Sequence, residues 1–205
     1  QHVVKSLDMK IAIVKLSALG DIIHAMVALQ FIKQEYPDCQ IDWVVEEGFK
    51  GILENNPDIN IIHTVNLKKV KQQKSLKLLF KEFKKIRQFG RYDLVIDAQG
   101  LIKSAIVAKF IQSKKISGFD KNSIRESLAS ALYQHKTFIA YDANTIDRNV
   151  KVICNPLGLE ISSDAIINKQ PFLFSQREIL LPSKPYALFV IGSTWGSRNY
   201  PKEKF

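Results

Sequence analysis

Ile11-Ala12-Ile13-Val14-Lys15-Leu16-Ser17-Ala18-Leu19-Gly20-Asp21-Ile22-Ile23-His24 is the stretch that decides the fold. Its apolar opening fits a strand buried on both faces, and a short small-residue turn leads into an amphipathic helix. In open α/β sheets the carboxyl end of such a strand borders the crevice where ligands bind. Asp21 is thereby placed beside the Ser17 hydroxyl and free backbone amides, in the first turn of the helix. A phosphate-binding loop is an unexpected place for that acid. The helix N-terminus already attracts phosphate, and a carboxylate would repel it. The turn suits a base, or a ligand bearing hydroxyls.

Outward from this unit, strands and helices alternate. The pattern predicts a strand over Lys10–Lys15, a helix from Leu19 to about Tyr36, a strand over Gln40–Val45, a short helix over Gly48–Glu54 and a strand over Asn60–Val65. Leu76, Leu79, Phe80, Phe83 and Ile86 recur at helical spacing, so residues 72–89 read as an amphipathic helix ending at Gly90. A strand over Tyr92–Asp97, a helix to about Gln112, a short strand over Lys115–Gly118 and helical segments near 123–134 and 144–155 complete the series. This alternation implies an α/β fold, a doubly wound parallel sheet with helices on both faces.

Met9 followed at once by a strand reads as the native start, with residues 1–8 an expression-derived extension. Residues 9–155 then form the first domain. Pro156, Gly158, Pro171, Pro182 and Pro185 mark residues 156–185 as an interdomain connection. A new apolar strand over 186–191 runs into the loop Gly192–Pro201, so residues 186–205 read as the opening of a second domain that is cut short.

Composition narrows the function classes. With 46% hydrophobic and 24% charged residues the chain can build a sizeable core, and no apolar run approaches the ~18 residues of a membrane span. Cys39 and Cys154 are isolated and lack metal-ligand spacing, which fits a reducing cytoplasm. No G-x-G-x-x-G, Walker loop, G-x-S-x-G or zinc spacing occurs, which argues against dehydrogenase, P-loop NTPase, hydrolase and metalloenzyme classes. The net charge of +10 is concentrated: residues 67–91 hold ten basic residues and one acid, Glu82, leaving about +1 for the rest. That points to an anionic partner at one face. Three readings of the basic helix are open: a solvated lysine face, a surface for anionic lipid headgroups, or a nucleic-acid surface. The last is weakest, since no recognised module is present.

Individual residues carry two readings each. Asp21 complements the helix dipole or acts as a base; His24, on the same helical face, is a partly buried, hydrogen-bonded histidine or a catalyst. Ser17 stabilises the turn or binds ligand. A second constellation, Asp97-Ala98-Gln99-Gly100-Leu101-Ile102-Lys103-Ser104, also follows a strand and faces the same crevice. Lys103 sits poorly with the helix dipole, so it is a solvated lysine or one offset by an anionic partner. Arg125 offers a fork for carboxylate or phosphate. On adjacent helical positions it would not pair with Glu126.

Together these blocks, with Asp42-Trp43-Val44-Val45-Glu46-Glu47-Gly48-Phe49 and Arg125-Glu126-Ser127-Leu128-Ala129-Ser130, resemble the ADP-heptose:lipopolysaccharide heptosyltransferases of glycosyltransferase family 9, most of all the heptosyltransferase I branch. The resemblance implies a GT-B enzyme with two facing Rossmann-like domains, the present chain being its N-terminal, acceptor-side half and the first strand of the second. It implies inverting transfer of L-glycero-D-manno-heptose from ADP-heptose to a Kdo residue of Kdo-lipid A, with no cofactor and no metal. The same resemblance implies a cytoplasmic protein held peripherally on the inner membrane's anionic surface, and no nucleic-acid partner. Asp21 matches the family's general base. Ser17, Gly20, Lys68, Lys69, Lys103 and Arg125 match acceptor-side positions, with Lys71 near the same basic loop. Ser193, Thr194 and Arg198 match the loop for the donor diphosphate, where the family usually has Lys in place of Arg198. Adenine and heptose contacts would lie beyond Phe205, so the 205 residues alone are expected to be inactive. A heptosyltransferase II or related member with another acceptor, and a non-catalytic anionic-lipid-binding module, are the alternatives.

Overall fold

A computed structural model describes residues 9–175 and 183–187. Residues 1–8, expected to be an extension, and, apart from Tyr186 and Ala187, the expected strand 186–191 and its loop lie outside the described residues. The chain divides into two compact units, Gln1–Ser175 and Gln176–Phe205.

In the first unit six strands form one sheet: β1 (Lys10–Val14), β2 (Gln40–Glu46), β3 (Ile61–Val65), β4 (Arg91–Asp97), β5 (Gln112–Phe119) and β6 (His135–Thr137). All neighbours are parallel, in the order β3-β2-β1-β4-β5-β6. This is the Rossmann order, which reverses direction between β1 and β4 and so opens a crevice at their carboxyl ends. β1 is central, paired through Ile11–Val14 with Ile41–Val44 on one side and with Leu94–Asp97 on the other. Two apolar layers result. Ile11, Ile13, Trp43 and Ile96 face one of them, and Ala12, Val14, Val44 and Val95 the other.

The first layer is covered by α1 (Leu19–Met26), α2 (Ala28–Glu35) and α6 (Thr145–Cys154). The single helix expected over 19–36 is divided at Val27. Its apolar positions are too widely spread for one stripe, and the division lets Ile22 and Met26 as well as Leu29, Phe31 and Ile32 reach the core. The second layer is covered by α4 (Leu76–Ile86) and α5 (Ile102–Phe110). The helix expected over 72–89 is α4, shorter than expected and preceded by an unanticipated α3 (Leu67–Gln73); α3 ends at Lys74, which is left-handed at φ 47°, and the Ser75 hydroxyl caps α4 by accepting from Leu78 N–H at 3.3 Å.

β5 is longer than the Lys115–Gly118 strand expected, because Arg91 and Tyr92 of β4 extend its pairing to Gln112 and Ser113. β6 was not anticipated. The segment near 123–134 forms two 3-10 turns, Lys121–Ser123 and Ser127–Leu132. Residues 156–175, read from sequence as part of a connection, belong to the first unit. They include α7 (Ser163–Ile167), bury Leu157 and Ile166, and bond Gln170 N–H to the Gln30 side-chain oxygen at 2.9 Å. Cys39 and Cys154 are free and buried, and burial pushes their thiols up to about 11 and about 12. Both are inert thiols.

Candidate active site

The two loops at the switch point are tied to each other. Gln99 Oε1 accepts from the N–H groups of Leu16 and Ser17, both at 3.1 Å, and Ala98 N–H donates to Val14 O at 3.0 Å. The Lys15 ammonium crosses the gap to donate to Ala98 O at 2.8 Å, while Trp43 Nε1–H donates to Lys15 O at 3.3 Å. The turn after β1 therefore has its shape fixed by residues more than 80 positions away.

Asp21, at the third position of α1, turns Oδ2 back to accept from Ala18 N–H at 3.3 Å. This helps cap the helix, as the bland reading of a first-turn acid requires. The same half-buried carboxylate lines a cavity of about 430 Å³, shared with Lys15, Ala98, Arg125 and Asn149. Capping and a ligand-facing role are thus compatible in one side chain. Lys15 is 6% exposed. Burial lowers its ammonium to about 8, against the opposing pull of the Asp21 and Asp97 carboxylates, and the Arg148 charge lowers it slightly further. The cavity therefore joins a carboxylate to a cation whose charge burial has made easy to lose.

Beneath the second loop lies Asp97, fully buried. Its Oδ2 accepts from Tyr133 OH at 2.7 Å and Ser104 OH at 2.8 Å, and its Oδ1 from Gln99 N–H at 2.9 Å and Gly100 N–H at 3.3 Å. Gly100 has φ +72°, and a Cβ there would lie 2.6 Å from Ile124 Cγ2, so this tight turn requires glycine. Gly118 clears space for the Tyr133 ring, which an added Cβ would overlap. The Arg148 guanidinium donates to Ala140 O and Ser123 O, both at 2.6 Å, and lies over the rings of Phe119 and Tyr141. It knits the outer loops of the cavity together.

Of the residues singled out in the sequence, Asp21 and Arg125 line this cavity. Ser17 and Gly20 lie on the same turn outside the lining, Ser17 half-buried and Gly20 exposed. Lys103 is exposed in the first turn of α5 and interacts electrostatically with Glu46, the last residue of β2. Lys68 meets the same Glu46, its backbone N–H donating to Oε1 at 3.3 Å, and Lys69 is exposed beside it on α3. Arg125 has no ion pair among the described residues; the neighbouring Glu126 accepts from Ile102 N–H at 2.7 Å and caps α5. His24 is half-buried, and its Nδ1 has no hydrogen-bond partner among the described residues. Ser193, Thr194 and Arg198 lie outside the described residues.

Sequence reasoning missed Lys15, Arg148 and Asn149. The signal for Lys15 was present, since a charged residue interrupts an otherwise apolar run ending in a turn. Asn149 is 3% exposed on α6, its Nδ2 bonded to Thr145 O at 2.8 Å and its Oδ1 unpartnered among the described residues.

Comparison with known proteins agrees with this fold. The family described as glycosyltransferase family 9 (heptosyltransferase) matches residues 79–205. The chain is 39% identical over 205 residues to lipopolysaccharide heptosyltransferase 1 of Campylobacter coli, covering 96% of this chain and 58% of that protein. It is 31% identical over 200 residues to the protein of the same name from Pseudomonas aeruginosa, covering 95% of this chain and 55% of that one. The solved structure of E. coli heptosyltransferase WaaC with ADP-2-deoxy-2-fluoro heptose superposes with a TM-score of 0.79 at 29% identity, over 95% of this chain and 62% of that one. The chain thus spans rather less than two thirds of the length of these relatives. The family match, the Rossmann order of the sheet and the acid placed at its switch point converge on one assignment: the chain belongs to glycosyltransferase family 9, the heptosyltransferases.

Proposed function

We propose that this chain is the acceptor-side half of an inverting GT-B heptosyltransferase that moves L-glycero-D-manno-heptose from ADP-heptose to a Kdo residue of Kdo-lipid A. The observation that carries the reading is Asp21, half-buried at the switch-point cavity of a family 9 chain. In the proposed step the Asp21 carboxylate takes the proton of the acceptor hydroxyl as its oxygen attacks the anomeric carbon of the heptose. The bond to the diphosphate breaks and ADP leaves from the opposite face, inverting the centre. Tying Oδ2 to Ala18 N–H limits the rotation of Asp21 and holds the carboxylate toward the cavity. Lys15 and Arg125 make that cavity receptive to an acidic sugar, Arg125 as a planar fork for a carboxylate.

Ser17, Gly20, Lys68, Lys69 and Lys103 would border the acceptor's longer anionic body around the ends of β1 and β2. Ser193, Thr194 and Arg198 would hold the donor diphosphate. A side-chain base activates the nucleophile, so the reaction needs no cofactor or metal. The acceptor lipid places the enzyme on the cytoplasmic face of the inner membrane as a peripheral protein. No helix among the described residues is long and apolar enough to cross a membrane. The relatives named heptosyltransferase 1 favour this acceptor over that of heptosyltransferase II.

The test is Asp21→Asn in the intact protein. It should lower kcat roughly 10²-fold or more while ADP-heptose binding stays near wild type. Near-normal turnover would make Asp21 a helix cap only. Turnover on a different defined inner-core acceptor, with none on Kdo-lipid A, would move the protein to another branch of the family.

A further inference from the structure

The helix α4 has an outward face that the proposed reaction does not use. Leu76 and Phe80, one turn apart, are 71% and 73% exposed. Around them, on the same side, stand Lys77, Lys81, Lys84 and Arg87, all exposed. The packing of the helix lies to one flank of this pair: Ile86 is fully buried, and Phe83, one turn beyond Phe80 on the same stripe, stacks on Phe110 at 4.1 Å. The apolar stripe thus runs past its buried part, and at their exposure Leu76 and Phe80 add little to the core.

The single acid of the basic stretch does not reach this surface. Glu82 is 9% exposed, accepts from Asn66 N–H at 3.1 Å and lies 3.8 Å from the Lys85 ammonium. Its charge is turned inward, so, among the described residues of α4, the exposed face presents an apolar pair flanked by cations with no compensating carboxylate.

We infer that this face of α4 docks the protein on an anionic lipid bilayer, with Leu76 and Phe80 entering the acyl boundary and the flanking cations lying at the phosphate level. This deepens the peripheral attachment proposed above and rests on that reading. Charge complementarity selects the occupant. Protein interfaces deplete lysine at their centres and fix register with hydrogen-bonding groups. A basic helix with a leucine and an aromatic residue at its apex matches an anionic membrane surface instead.

Flotation of the intact protein with vesicles is the experiment. Binding is expected with phosphatidylglycerol-containing vesicles and not with pure phosphatidylcholine, and it should weaken as salt is raised. The double variant Leu76→Ser/Phe80→Ser removes two exposed apolar groups without touching the core. It should bind anionic vesicles roughly 10- to 100-fold more weakly. Lys81→Glu/Lys84→Glu should remove most of the salt-sensitive part. In Phe80→Trp the added emission should shift to the blue when anionic vesicles are supplied. Wild-type flotation by the double serine variant, equal binding to neutral vesicles, or an unmoved emission from Phe80→Trp would each overturn the inference. Heptosyl transfer to detergent-dispersed acceptor should be unchanged in the double serine variant. Loss of docking with retained transfer supports the inference, and retained docking refutes it while leaving the transferase reading intact. Absence of transfer by the wild-type protein would instead count against the proposed reaction.

Discussion

Two aspartates in the same sheet, Asp42 and Asp97, are both fully buried, yet their surroundings treat their charge in opposite ways. Asp97 at the carboxyl end of β4 is met by four neutral donors: two hydroxyls and two backbone N–H groups. Burial pushes its carboxyl above the usual range, and those donors draw it only part of the way back. Asp42 in β2 has Tyr92 OH at 2.7 Å, the Lys10 ammonium at 3.2 Å and His63 Nε2 at 3.4 Å. Burial pushes it the same way, but the bonds from His63, Tyr92 and Lys10 and the Lys10 charge hold it below the usual range. Four dipoles hold a loop in shape; a cation is needed to offset the desolvation of a charge.

The most severe way to break this comparison is Asp97→Ala. It strands four donors at once, including both that shape the 97–100 turn, and should cost about 3–5 kcal/mol in urea unfolding. A cost below ~1 kcal/mol would show that water or neighbouring groups replace the carboxylate with ease. Removing one hydroxyl from each cluster is a finer probe. Tyr133→Phe should cost about 1–2 kcal/mol, and Tyr92→Phe about 0.5–1 kcal/mol, because Asp42 keeps the Lys10 ammonium and His63 Nε2. The reverse order would mean that Lys10 contributes little to Asp42.

The smallest effect is in the pH profile, where the two sites should have opposite slopes. Between Asp42's lowered value and the ordinary carboxylate value the unfolded chain binds more protons. Stability from Asp42 is therefore present above that ordinary value and is lost as pH falls through the folded one. Between the ordinary value and Asp97's raised value the folded chain binds more protons, so stability declines as pH rises through that window. Urea midpoints measured across the acid range should show Asp42→Asn flattening the lower slope and Asp97→Asn the upper. Slopes of one sign for both would contradict the contrast.

The parts of the fold that could be read from sequence were those with their own periodicity. β1 to β4 and α6 have apolar patterns that need no distant partner to be recognised. β6 does not: His135–Thr137 is three residues long with no apolar run, and it is a strand only because β5 extends to meet it. The divisions at Val27 and Lys74 have no glycine or proline to mark them, and tertiary packing decides both. The site follows the same rule. Asp21 was visible because its strand, turn and helix are contiguous. The roles of Lys15 and Gln99 were not, since each is created by a contact between β1 and β4 loops over 80 residues apart.

Gln99 has a consequence for how the cavity would receive a ligand. One carbonyl oxygen serves two successive N–H groups of the opposite loop, so neither loop can rearrange without uncovering both donors together. The floor of the cavity is thus ordered during folding, and its entropic cost is met before any sugar arrives. In the reaction proposed above, the acceptor would then have only its own freedom to lose, leaving more of its contact energy for orienting its hydroxyl toward Asp21.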